Sequence, residues 1–595
     1  MRIPRPTTLW TRTLAFAAAG TLTVGALAAC DAGSATSAAT DGSGTTAAEI
    51  SATDNSGRSA QDVLDENLSS EETAALADET WDTADEVAVS LDGDTASASG
   101  DGVTVDGSTV TITQPGTYRL SGTLDDGQVV VDSSADGVVR LVLDGADVTS
   151  STGAAVDVQD ADQLSVVLAD GSTNRLEDAE TYQDATSDNA ANAALYSTAD
   201  LAISGAGKLD VVGNANDGIT GKDGLVIASG TISVTAADDA IRGKDYLVVS
   251  GGTISVEAGG DGLKSDADDD ATAGYVALTG GDVTVEAASD GVQGFTDVAI
   301  TDGTLAVTGS EEGIEAATIA LSGGDVDITS TDDGLNATVK EAEDDTATDA
   351  ASDDATTDDS ASGTGDQQGT APEPPADGEM PADGQGQPPA DGEMPQGGGG
   401  GGMDAVQEGA SLTITGGTLH VDAEGDGLDS NGVAVVSGGD VVVEGPTNGG
   451  NGALDSAGGT TVSGGTVLAV GSSGMAEGFA DDSTQGWVAL TADSTLEAGT
   501  EVAVVDADGT TVATIMLTKT AQSVVYTGPE ITDGDTYTLT ADGTEVGTAT
   551  AGEAPAGGMG GGMGGGMGGG MGGGRPGQGT QDGSTDQSSS NTTAS

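Results

Sequence analysis

From Ala199 onward, apolar and polar positions alternate in short bursts that recur in the same order. Leu201 and Ile203, then Leu209 and Val211, alternate with polar or small residues, and Leu247 and Val249, then Ile254 and Val256, repeat the phrase. Period-two alternation is the signature of half-buried strands. The glycine pairs Gly251-Gly252, Gly280-Gly281, Gly323-Gly324 and Gly416-Gly417 separate the first two strands of a unit, where the chain must turn a corner. A third short strand holds Ile219, Ile241, Leu263, Val292, Ile314 and Leu335. Two positions before each of these stands an acidic marker: Asp217, Asp239, Asp261, Asp290, Glu312 and Asp333, spaced by 22, 22, 29, 22 and 21 residues. The long interval carries an extra loop, Asp266 to Thr272. Three strands and three corners in about 22 residues describe one coil of a parallel β-helix, a solenoid in which each unit buries its apolar face by stacking on the next. Helical repeats are excluded, because no unit holds enough 3.6-residue periodicity.

The remaining chain is read around that core. Residues 1–29 are a signal peptide and 30–75 a flexible linker, and residues 61–80 have the pattern of a short helix. Residues 76–198 form a β cap and first irregular coils, 199–340 and 406–486 regular coils, 487–551 a small C-terminal β-module. Residues 341–405, rich in Asp, Pro and Gly, form a disordered excursion from one corner, and 552–595 a disordered Gly/Met tail. A cap is required because an open end of the stack is an unpaired strand edge.

Charge changes the picture of partners. With 99 acidic and 15 basic side chains the formal net charge is −84, so nucleic acid is excluded as a partner. One His leaves a Ser-His-Asp triad only one place to form, and His420 alternates with the inward Leu419 and Val421, so it reads as a surface residue. The single cysteine, Cys30, excludes disulfides and ends an uncharged apolar stretch preceded by Arg2, Arg5 and Arg12. Its Leu-Ala-Ala-Cys ending resembles a bacterial lipobox, which implies lipidation of Cys30 and a protein tethered to the outer face of the bacterial cell membrane.

The phrases NDGITGKD, DDAIRGKD and GDGLKSD, with ALYSTADLAISGAGKL and the Pro/Gly-rich insert, resemble the bacterial carbohydrate-binding parallel β-helix surface proteins, over roughly residues 76–551. That family binds cellulose and acidic plant polysaccharide and is similar in fold to polysaccharide lyases. The resemblance implies a right-handed helix, bound calcium and glycan binding without established catalysis.

Stacked coils lie about 4.8 Å apart, so neighbouring carboxylates repel by about 0.9 kcal/mol even in water. Calcium, which takes six to eight oxygen ligands, offsets this. The densest local supply is Asp238, Asp239, Asp245, Asp261, Asp266, Asp268, Asp269 and Asp270, the expected metal ligands; the bland alternative is Asp-Gly turns splayed into water. Lys222 aligns beside Lys244 and Arg242 beside Lys264, either a groove for uronate carboxylates or salt bridges to nearby acids. Aromatic platforms for neutral sugar are sought among Tyr182, Tyr196, Tyr246, Tyr275 and Phe295, with Tyr246 and Tyr275 at equivalent positions of consecutive coils.

The leading expectation is a non-catalytic, calcium-dependent carbohydrate-binding lipoprotein recognising cellulose or acidic polysaccharide. The alternatives are a calcium-assisted lyase with Lys244, Lys264 or Arg242 as base, and a structural adhesin or envelope spacer.

Overall fold

The alternating segments are strands, and each pairs in parallel with its counterpart one unit further along. Leu225 lies opposite Leu247, Leu247 opposite Val276, Val276 opposite Val298, and Val298 opposite Ile319. The computed structural model describes residues 58–78, 80–183, 190–340 and 406–554. The signal segment, Cys30, the insert 341–405 and nearly all of the Gly/Met tail lie outside the described residues. On either side of the insert the register resumes, with Ile319 opposite Leu412 and Leu335 opposite Leu428.

The protein is all-β, with parallel strands dominant and few helices. Among the described residues, the strands form a 24-stranded sheet, a 13-stranded sheet and a four-stranded sheet. Two parallel rows make up the largest sheet, and they merge where Tyr275–Ala287 and Asp297–Gly309 run as single strands through the corner. The short third strands, such as Ile241–Gly243 and Leu263–Ser265, stack in the 13-stranded sheet. One pass through the three rows makes a layer. Inward residues of all rows, among them Leu247, Val249, Ile254, Val256 and Leu263, meet in one continuous core. Each such buried aliphatic side chain contributes about 2 kcal/mol, largely offset by chain entropy.

Two kinds of glycine make the winding possible. Gly252, Gly281, Gly324 and Gly417, the second of each corner pair, have φ of 83 to 96°, a region other residues enter at a cost. Gly262, after the acidic marker, is needed for space: a Cβ there would lie 2.3 Å from Val285 Cγ1 and 2.6 Å from the Gly291 carbonyl.

The linker expectation for 30–75 is corrected where residues are described. Helix α1 (Ala60–Leu64) starts with a capping box, in which Ser59 accepts the Asp62 N–H and Asp62 accepts the Ser59 N–H. Helix α2 (Glu71–Leu76) follows. Ala60 and Val63 are buried with Ala299 and Ala320, and Leu64 packs against the cluster of Val226, Tyr246, Val248, Tyr275 and Ala277. The short helix expected over 61–80 is present as two short helices, while the flexible-linker expectation for the same stretch gives way to packing on the stack.

Parallel stacking begins earlier than Ala199, with Val87–Gly93 beside Gly116–Leu124. At the other end, Ala521–Thr527 pairs antiparallel with both Thr466–Gly471 and Trp487–Leu496 and closes the large sheet. Glu501–Val505, Thr511–Met516, Thr536–Ala541 and Thr544–Thr550 form the separate four-stranded sheet.

Candidate functional site

The 13-stranded sheet carries two neighbouring columns of polar residues. Register places Thr220, Arg242, Lys264, Gln293, Glu315, Asn336, Asp429 and Asp455 in one column. Three residues earlier in each layer run the acidic markers, from Asp217 to Asp333 and on to Asp426. They do not splay into water: Asp217, Asp239, Asp261 and Asp290 are buried. Each of several markers accepts the backbone N–H of the next one. Asp239 Oδ1 receives the Asp261 amide at 2.9 Å, Asp261 Oδ1 the Asp290 amide at 3.0 Å, and Asp333 Oδ1 the Asp426 amide at 2.6 Å. The result is a carboxylate ladder running along the stack.

Over its first part the ladder is neutralised from within. Lys264 Nζ lies 2.8 Å from Asp261 Oδ2 and 3.3 Å from Asp239 Oδ2. Arg242 pairs with Asp266 and approaches Asp217 at 4.0 Å. Burial opposes ionisation of Asp261, but Lys264 and the Asp290 amide outweigh it and hold the carboxyl below its ordinary range. Burial pushes Asp239 up to about 6 despite Lys264. Burial also works against charge on Lys264 and Arg242, yet the surrounding carboxylates hold both above their ordinary values. These two cations bind the protein's own ladder.

Beyond Asp261 the second column changes sign. Among the described residues, Asp290, Glu312 and Glu315 each offer a ligand atom, all within 4.8 Å of one another. Gln293 donates to Asp290 Oδ2 at 2.8 Å, Asn336 donates to Glu312 Oε1 at 3.2 Å, and Lys340 pairs with Glu315. Glu312 Oε2 and Asn336 Oδ1 are buried without a hydrogen-bond partner. Burial, reinforced by Glu315, pushes Glu312 up to about 9, and burial with Asp261 and Glu315 drives Asp290 well up. Further along, burial and neighbouring carboxylates raise Asp426 to about 7 and Asp429 to about 8. Such a surplus of desolvated carboxylates suits a hard cation with oxygen ligands.

The eight expected calcium ligands do not converge. Asp239 and Asp261 serve the ladder, Asp266 holds Arg242, and Asp270 accepts the N–H and hydroxyl of Thr272 within its own loop. Asp238 and Asp269 are exposed and Asp268 is half-buried. Asp245 instead lines a cavity of about 340 Å³ with Glu72, Asp200 and Asp223. Of the expected glycan residues, Arg242 and Lys264 stand side by side, and Lys222 and Lys244 follow the paired Gly221 and Gly243. Tyr246 and Tyr275 do stack, with centroids 5.5 Å apart, but both are only 3 % exposed. Their hydroxyls bond Thr73 and the Leu68 carbonyl, so the N-terminal segment covers them and the platform reading is overturned. Tyr196 is fully buried and Tyr182 donates to Asp178.

The triad of Asp290, Glu312 and Glu315 was missed, although its signal was present. The residue three after each marker is basic at 242 and 264 but acidic at 315 and 429, and only reading down that column exposes the change.

Residues 106–355 match the family model described as carbohydrate-binding domain-containing protein. An Acetivibrio thermocellus protein with the same description is 42% identical over 128 residues, which are 21% of this chain and 45% of the relative. The chain thus spans under half the length of that relative. A solved structure, titled as the polysaccharide lyase-like protein from C. thermocellum in a gadolinium derivative, shares 34% identity over 40% of this chain and 93% of that chain, with a TM-score of 0.36. The family-matched segment contains Arg242, Lys264, Asp290, Glu312 and Glu315.

Proposed function

We propose that the chain is a non-catalytic, calcium-dependent polysaccharide-binding protein, with Asp290, Glu312 and Glu315 holding the cation on a right-handed parallel β-helix. The carrying observation is this triad of mutually close carboxylate ligands inside the segment that matches a carbohydrate-binding family. Three protein ligands leave part of a calcium coordination sphere for other oxygens, and uronate carboxylates of an acidic polysaccharide are suited to fill it. With a net charge of −84, such a protein meets an acidic glycan only through bridging cations. The same reading places the protein outside the cell, anchored through a lipid on Cys30.

At Arg242 and Lys264, two of the three candidate bases, the state of the cation favours binding over lyase chemistry. A general base must be able to accept a proton near the working pH, whereas Arg242 and Lys264 are held charged by Asp266, Asp261 and Asp239. On polygalacturonate affinity gels, retardation is expected with calcium and is lost with chelator or in Glu312→Gln/Glu315→Gln. Equal mobility in all conditions would refute the reading. An ultraviolet trace of unsaturated uronides should stay flat, and a steady rise would restore the lyase.

A further inference from the structure

Layers of a stacked array contact mainly their neighbours, so the array has no inherent reason to behave as one unit. The segment from Arg58 to Glu86 crosses that limit. It runs along the outward face of the large sheet, opposite in direction to the stacking. The Ala60 N–H donates to Ser322 Oγ at 2.7 Å, and Val63 sits on Ala299 and Ala320. Leu68 accepts from the Tyr275 hydroxyl at 2.8 Å, Thr73 meets Tyr246, and the Leu76 carbonyl accepts from Ser165 at 2.9 Å. Arg140 then lies 5.2 Å over the Trp81 ring, and Glu86 pairs with Arg119 at 2.7 Å.

The outward residues beneath it form one register column: Arg140, Ser165, Ala202, Val226, Val248, Ala277, Ala299 and Ala320. The alanines at 299 and 320 are buried together with Ala60 and Val63 of α1. The contacts of α1 and α2 are apolar or neutral, while Arg140 and Arg119 hold Trp81 and Glu86 at the far end of the segment; the cavity at α2 gathers carboxylates instead. At α2, Glu72 faces Asp200, Asp223 and Asp245, contributed by three successive layers, across the 340 Å³ cavity. Lys244, beside Asp245, offsets part of this charge, and a Thr73 hydroxyl reaches Asp200. Four carboxylates around one solvent-open cavity repel, and the repulsion is screened by salt.

We propose that residues 58–78 and 80–86 form a releasable strap that couples the layers from Arg119 to Ser322, with the Glu72 cavity as its charge-sensitive latch. The apolar seat of Val63 and Leu64 closes the strap, and the carboxylates at α2 oppose closure. Layers beyond the strap, such as Thr460–Val462 and Thr466–Gly471, stay outside this coupling.

Amide hydrogen exchange on the full chain tests both parts. Val63→Asp, which breaks the apolar seat, and Tyr275→Phe, which removes only the hydroxyl on Leu68, should speed exchange in Gly224–Ile227 and Tyr246–Val249 by roughly tenfold or more. Exchange in Thr466–Gly471 should not change. Unchanged protection of the strapped strands in both variants would overturn the coupling, as would equal acceleration everywhere in Tyr275→Phe. Raising salt from about 10 mM to about 1 M, which cuts the screening length from roughly 30 to 3 Å, should slow exchange across Glu71–Leu76 in the wild type. Glu72→Gln should be slow at both salts. The same salt response in Glu72→Gln as in the wild type would overturn the latch.

Discussion

A buried carboxylate such as Asp261 is tolerated because each oxygen has a partner: Oδ1 the Asp290 amide, Oδ2 the Lys264 ammonium. His420 shows the same logic on the outer face of the stack. Alternation placed it on the outer face, and it is half-exposed there, but it is not idle. Nδ1 lies 2.9 Å from Asp327 Oδ1 and Nε2 3.5 Å from Glu444 Oε1. Glu444 also accepts the N–H and hydroxyl of Thr518, at 2.9 and 2.7 Å, from the chain after the four-stranded sheet's first hairpin. The hydrogen bond to Glu444, helped by Asp327 and opposed by burial, pushes the imidazole up to about 9. A base with a raised folded-state pKa stabilises the fold fully below its unfolded pKa of about 6.5 and loses that contribution as pH climbs through the folded value. The melting temperature of wild type should therefore exceed that of His420→Gln at pH about 6 and converge with it by pH about 10. A gap that widens with pH would contradict the assignment.

At the scale of strands and corners, much was legible. Period-two alternation, glycine pairs and a constant spacing predict strands stacked in register, and Leu225, Leu247, Val276, Val298 and Ile319 follow one another as that spacing requires. The glycine after each marker carries a prediction of its own. Gly262→Ala forces Val285 and the Gly291 carbonyl apart and should cost about 1–3 kcal/mol in chemical denaturation. Ala240, the equivalent residue one layer earlier, is buried yet accommodated, so Ala240→Gly should cost less than Gly262→Ala. Equal effects would mean that the close approach is not what selects glycine. The helices were less legible. The five residues of α1 depend on an apolar seat at Ala299 and Ala320, more than two hundred residues away, and the six of α2 on contacts with Tyr246 and Ser165; no local pattern reports such seats.

For the whole molecule, the balance of charge along the stack matters more than its total. Arg242 and Lys264 neutralise the ladder near Asp217, Asp239 and Asp261, whereas the layers from Asp290 to Asp455 carry carboxylates facing few cations. If calcium fills the Asp290 triad, excess ion at about a hundred times its Kd stabilises the fold by about 2.7 kcal/mol. Calorimetry should then show a melting temperature that rises with calcium, falls with chelator, and is insensitive to both in Glu312→Gln/Glu315→Gln. An equal calcium response in that variant would move the ion elsewhere. The sequence by itself determined which residues share a column, because a nearly fixed number of residues per layer aligns equivalent positions whatever surrounds them. Only the tertiary structure decided what each column faces: that Tyr246 and Tyr275 lie under an N-terminal segment, that Lys264 answers its own acids, and that Asp290, Glu312 and Glu315 meet. Those outcomes depend on side-chain direction at the corners and on a remote segment crossing the outer face, neither of which spacing along the chain encodes.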